Sequence, residues 1–168
     1  MPSNQGGKMT KYKQLLLMVP GKMSRENKID FYRPLSAQGV YQTMNVVRKM
    51  KKNLRKEPEF IFSAAALYMR QTAEIIHQTF MKSELVLRDN LYTANDENLS
   101  HFLSHLDDIF ESILILAEIQ PIQKLTRQLI GREVDLVPSA CLCVCWPIDQ
   151  SWKTIDEATG QVIQLWSP

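Results

Sequence analysis

The 168 residues are 45% hydrophobic and 23% charged, which excludes a disordered chain or a fibrous repeat and leaves enough apolar material for one buried core. Twenty Lys and Arg against eighteen Asp and Glu give a net charge of +2, too even for a nucleic-acid footprint. The longest apolar run near the start, Leu15 to Val19, is far short of a signal-peptide core or a membrane span, so a cytoplasmic protein without membrane contact is expected.

Residues 1–11 are polar, with a Gly6-Gly7 pair, and read as a flexible tail ahead of one domain over 12–168. Leu15 to Met18 has the continuous apolar character of a strand covered on both faces. A charged loop follows from Gly21 to Pro34. From Ser36 to Arg55 the apolar residues Val40, Met44, Val47, Met50 and Leu54 step by three or four, which predicts a helix. Glu59 to Phe62 predicts a second strand. Ala66, Met69, Ala73, Ile76 and Phe80 predict a second helix.

Leu85 to Leu87 predicts a third strand. Leu99, Phe102, Leu103 and Leu106 line one face of a third helix, which Thr93 or Asn95 could cap. Ile113 to Ala117 reads as a fourth strand, and Ile122, Leu125 and Leu129 as a fourth helical stripe stopped at Gly131. Beyond it, Ala140 to Trp146, the region of Trp152 and Val162 to Trp166 read as strands, with a turn at Thr159-Gly160. Strands alternating with helices imply an α/β three-layer sandwich: a mainly parallel central sheet, helices on both faces and an antiparallel C-terminal edge.

In such sheets ligands collect beyond the carboxyl ends of the strands, here Val19-Pro20-Gly21, Ser63-Ala64 and Glu118-Ile119-Gln120. These ends are mostly uncharged. Lys22, Ser63 and Arg70 are the candidates for an anion site, with Ser63 placed to cap the second helix and lend its amides. Arg33 is expected to tie down its own loop through an ion pair.

Asp30-Phe31-Tyr32-Arg33-Pro34-Leu35-Ser36-Ala37-Gln38-Gly39 resembles the Asp-Phe-x-Arg-Pro-Leu stretch, closed by a glycine, of the bacterial phosphohistidine phosphatases. These belong to the histidine phosphatase superfamily that includes phosphoglycerate mutase. Ser63 with Arg70-Gln71-Thr72-Ala73, then Leu91-Tyr92, Pro121 and Trp152, keep that family's order over about residues 12–168. The resemblance implies the phosphoglycerate mutase-like fold. It also implies a pocket in which an Arg-His pair ends the first strand, a second Arg and a second His complete the site, and the first His is phosphorylated. On this chain those positions hold Val19, Pro20, Tyr68 and Ile119, so no catalytic residue is assigned and no cofactor is called for. Proline has no nucleophilic atom, and loss of a nucleophile in a comparable enzyme costs on the order of a millionfold. Glu118 would repel a phosphoryl group if it faced inward.

A non-catalytic binding or regulatory protein is therefore expected, with a protein partner such as a phosphorelay component. The alternatives are an active phosphohistidine phosphatase with a shifted nucleophile, or a metal or redox module on Cys141, Cys143 and Cys145. These cysteines share one face of a strand, where thiols serve as small apolar filler. Cysteine-phosphatase chemistry needs an arginine six residues on, where Pro147, Asp149 and Ser151 stand. His101 and His105 lie one helical turn apart without a third ligand in view, so no metal is assigned; His77 is expected to be packed and hydrogen-bonded. The run Arg48 to Lys56 is read as a solvated helix end favoured by the helix dipole, with an acidic protein partner or a polyanion as the alternative use.

Overall fold

The computed structural model describes residues 11–93, 96–155 and 158–168. Strand β1 (Tyr12–Met18) leads through the charged loop to helix α1 (Ala37–Asn53), strand β2 (Phe60–Ser63) and helix α2 (Leu67–Thr79). Strand β3 (Glu84–Leu87), helix α3 (Asp96–Ser104), strand β4 (Ser112–Leu116) and helix α4 (Ile119–Ile130) follow, then β5 (Cys141–Pro147) and β6 (Gln161–Trp166). The sheet order is β3-β2-β4-β1-β5-β6. The first four strands are mutually parallel, while β5 runs antiparallel to both β1 and β6. The expected three-layer α/β sandwich with its antiparallel edge is the observed architecture.

The pleat divides the core. Phe60 and Phe62 meet Phe110 and Phe102, so this face, with Leu15, Leu17, Ile113 and Ile115 in register, lies under α3 and α4. Leu16, Met18, Ile61, Leu114 and the cysteines turn to the opposite face, beneath α1 and α2. Helix α4 stops at Gly131, whose φ of 75° is the left-handed conformation that a glycine adopts without cost.

Two local expectations are corrected. The region of Trp152 is a short 3-10 turn, Trp152–Thr154, not a strand. Its indole N–H donates to the Phe110 carbonyl at 2.9 Å, which anchors a buried ring instead of extending the sheet. Next to the expected turn at Thr159-Gly160 stands Ala158, whose φ of 60° is left-handed, and Ala158 and Gly160 both donate backbone bonds to the end of α4. On α1 the buried side is Gly39, Thr43, Val46, Val47 and Met50, while Val40 and Met44 are partly exposed, because Thr43 replaces them against the loop at Ser139. Of the proposed α3 caps, Asn95 lies outside the described residues, as do residues 1–10 of the expected tail.

Lys13 is wholly buried on β1. Its ammonium sits 2.8 Å from an Asp108 carboxylate oxygen and 5.0 Å from the centre of the Trp152 ring, so the charge is paired and stacked where it leaves water. The Lys13 hydrogen bond, with others from Ser151 and the Trp152 amide, holds the Asp108 carboxyl down at about 2. A depressed carboxyl contributes stability above its unfolded value and loses it as pH falls through the folded one. The urea midpoint is therefore expected to drop between pH 4 and pH 2, and Asp108→Asn to flatten that slope. The effect is reduced by solvent screening, since the Asp108 side chain is 53% exposed. An equal slope in the variant would remove Asp108 from the acid transition.

Candidate functional site

Beyond the carboxyl ends of β1 and β4 lies a hollow of about 290 Å³. Its wall includes Val19, Pro20, Tyr68 and Ile119, so the fold brings together four residues that the sequence spreads over 101 positions. Lys22, Arg25 and Arg33 contribute its cations and Glu118 its carboxylate.

The hollow is held from below by local chemistry. The loop after β1 presses onto the start of α1: the Ser36 hydroxyl donates to the Lys22 carbonyl, accepts from the Gly39 N–H and so caps the helix. The Gly21 N–H donates to Thr72 on α2 at 3.1 Å, and the Leu35 N–H to the Gln71 amide oxygen at 2.7 Å. The motif residues Gln71 and Thr72 thus fasten both ends of the β1–α1 loop to α2. Arg33 behaves as expected. Its guanidinium meets Asp30 at 3.0 Å and the Asn27 carbonyl at 2.5 Å, closing its own loop.

The proposed anion trio is not assembled. Lys22 lines the hollow and reaches Gln38 at 3.3 Å. Ser63 is fully buried beneath it and donates to the Ala64 carbonyl, so it does not cap α2, whose preceding residue is Ala66. Arg70 points outward from α2 and pairs with Glu74, one turn on, at 3.4 Å. The i, i+4 spacing of Arg70 and Glu74 on the solvent side was the available signal against a site role.

Tyr68 and Glu118 form the contact that sequence reasoning missed. The buried tyrosine hydroxyl donates to the Glu118 carboxylate. Burial first, and then this bond and the charge of Glu118, raise the Tyr68 phenol far above its ordinary range. Tyr92, which stacks edge-on with Phe31 at 5.0 Å, is raised for similar reasons, burial first and then Asp30 and Glu118. At a position implied to carry a phosphate-binding arginine stands a neutral phenol clamped to a carboxylate. The pair supplies a hydrogen bond and one carboxylate to the hollow.

A spectrophotometric titration at alkaline pH tests the clamp. Its raised phenol contributes stability that is present below the ordinary tyrosine value of about 10 and lost as pH rises beyond it. Tyr68 is therefore expected to ionise only with unfolding, and Tyr68→Phe to remove one tyrosine from that late step. Ionisation of all tyrosines in one early step would show that the clamp does not hold.

Other candidates lie away from the hollow. His101 and His105 have rings 4.1 Å apart, with His105 Nδ1 2.8 Å from the His101 carbonyl. Among the described residues no three His, Cys, Asp or Glu side chains gather as a metal site. His77 is half-buried in the last turn of α2, and no described hydrogen bond reaches its side chain, contrary to expectation. In the basic run, Lys51 pairs with Glu57, Lys56 with Glu111, and Lys49 donates to the Ser167 carbonyl.

No protein-family model and no curated protein matches the sequence. Solved structures do match the fold. A protein assigned as the phosphohistidine phosphatase SixA of Nakamurella multipartitia superposes with a TM-score of 0.80 at 16% identity, covering 94% of this chain and 96% of its own. A protein histidine phosphatase SixA complexed with tungstate gives 0.75 at 21% identity, with 92% and 96% covered. Phosphoglycerate mutase from Plasmodium falciparum gives 0.65 at 14% identity, with 92% and 90% covered. The fold is that of the histidine phosphatases and phosphoglycerate mutases. No helix among the described residues is long and apolar enough to cross a membrane.

Proposed function

We propose that this chain is a catalytically inactive protein on the histidine phosphatase fold, which uses the hollow beyond β1 and β4 to bind a partner. The observation that carries this reading is the wall itself. Val19, Pro20, Tyr68 and Ile119 line it together, and neither histidine nor cysteine is among its lining residues.

A shifted nucleophile has little to draw on. The hydroxyls at the hollow are Ser24, which accepts the Glu26 N–H at 3.1 Å, and Tyr68, which is clamped to Glu118. A phosphoryl dianion would also meet the Glu118 carboxylate. The cations Lys22, Arg25 and Arg33 at the same hollow, beside apolar Met23, Ile119 and Pro138, suit a ligand of mixed charge with an apolar stem. A protein segment fits that description. A phosphorelay component is the first partner to try, because solved proteins of this fold are named as protein histidine phosphatases. Three free thiols accord with a reducing compartment, the cytoplasm.

Incubation with p-nitrophenyl phosphate tests the reading. Release of nitrophenol at the buffer rate is expected, and turnover abolished by vanadate would overturn the proposal. Millimolar phosphate is likewise expected to leave the melting temperature unchanged.

A further inference from the structure

Strand β3 is one edge of the sheet. Glu84 and Arg88 donate their amides inward to the carbonyls of Glu59 and Ser63, so by alternation Leu85 and Leu87 turn their N–H and C=O outward. No described strand takes these groups up, and the Leu87 carbonyl receives only the Arg88 guanidinium, at 3.4 Å. The opposite edge, β6, carries a register shift between Cys143 and Val144, a device that spoils further pairing. On β3 the register is unbroken, and the stretch from Glu84 to Arg88 holds neither proline nor lysine. Nothing blunts this edge, and Leu87 on it is 39% exposed.

The stretch Glu84-Leu85-Val86-Leu87-Arg88 is complementary to its own reverse, with an acid and a base set evenly about Val86. We propose that β3 pairs antiparallel with β3 of a second copy of this chain, about a two-fold axis at Val86. Leu85 then lies opposite Leu87 of the copy, and their backbone groups exchange N–H to carbonyl bonds. These are the residues whose amides and carbonyls face outward, so this register satisfies the edge without a slip. The same pairing covers the exposed Leu87 side chain with Leu85 of the copy. Glu84 meets Arg88 of the copy twice, in the closer kind of cross-strand pair, where opposite charges attract most. Both side chains are exposed, and neither makes an ion pair within the chain among the described residues. Glu84 and Val86 share a face with Phe60 and Phe62, where a groove of about 570 Å³ lies between β3 and α3, walled by Val86, Phe102 and Leu106. The axis sets the two grooves side by side on that face, with the pair of Val86 side chains between them. A two-fold contact of this kind closes on itself and recruits no third copy.

The test is sedimentation equilibrium of the full chain over a concentration series. A monomer–dimer equilibrium is expected. Glu84→Arg and Arg88→Glu are each expected to weaken it by about tenfold or more, since each puts like charges opposite one another at both ends of the pairing. An equimolar mixture of the two variants is expected to associate again as a mixed dimer, because each then supplies the charge the other lacks. A monomer at every concentration would overturn the second copy as occupant and leave the edge to a strand of another protein. A dimer that neither variant weakens would place the contact on another face. Hydrogen exchange of the parent chain reads the pairing without any substitution: the Leu85 and Leu87 amides are expected to slow as the dimer forms, and unchanged exchange in the dimer would refute the register.

Discussion

Pro20→His by itself is expected to leave aryl phosphate hydrolysis at the background rate, although it restores an imidazole at the head of β1. The side chain would enter a buried position, where desolvation favours the neutral ring. It would face Val19 and Ile119, the Tyr68–Glu118 clamp and no arginine at either implied phosphate-binding position. Of the cations on the wall, Lys22 reaches Gln38 and Arg33 is held by Asp30, so neither is preorganised to hold the dianion in line. Removing partners from a buried charge pair costs roughly 2–5 kcal/mol each, so Val19 and Tyr68 together account for several powers of ten in binding alone.

Only the combined variant Val19→Arg, Pro20→His, Tyr68→Arg, Glu118→Gly and Ile119→His is expected to give vanadate-sensitive turnover. Glu118 belongs in the set because its carboxylate would neutralise the arriving arginine at 68. The gap expected between the parent chain and an enzyme with its nucleophile intact is on the order of a millionfold. Steady-state rates for the parent, single and combined variants check the series. Turnover in the single variant would mean that Lys22 or Arg25, already on the wall, completes the pocket.

Gly39→Ala is the second large effect, and its sign runs against helix propensity. In an open helix this change would stabilise by about 1 kcal/mol. Here a Cβ on Gly39 would fall 2.3 Å from the Lys22 carbonyl oxygen and 2.9 Å from its amide nitrogen. Backbone cannot rotate away as a side chain can, so α1 and the loop after β1 must part. That breaks the Ser36 bonds to Lys22 and displaces a wall of the hollow. A loss of about 2–3 kcal/mol is expected from overpacking, read as a lower urea midpoint. Gly21→Ala should cost less. Its Cβ would meet two side-chain atoms most closely, Thr43 Oγ1 at 2.7 Å and Leu35 Cδ2 at 2.8 Å, with the nearest backbone atom, the Gly39 carbonyl oxygen, at 3.1 Å. Reversal of that order would show that the α1 contact is not the rigid one.

Much of the site was legible through the motif Asp30 to Gly39, whose parts serve visible local ends. Arg33 pairs with Asp30, Ser36 caps α1, and Gly39 permits the close approach of Lys22. The substituted positions were found through the order of the motifs, and the fold gathers them at one hollow. Ser63 and Arg70 were misassigned because nearness in sequence to a strand end does not say which way a side chain points. Arg25 and the Tyr68–Glu118 bond went unseen because nothing local marks them. The Trp152 segment misled because an apolar aromatic in a short stretch fits a strand as well as a buried turn.

The chain alone determined the alternation of strands and helices and the absence of histidine at the strand ends, since hydrophobic period, caps and residue identity are local properties. Tertiary structure alone decided which side chains meet. Tyr68 finds Glu118 fifty residues away, and Thr43 finds Ser139 ninety-six away. The cavity lined by Cys143, Cys145 and Ile163 lies where the β5–β6 pairing shifts register beside the C-terminal end of α1. Such contacts arise from packing of the whole core, and no local pattern of residues encodes them.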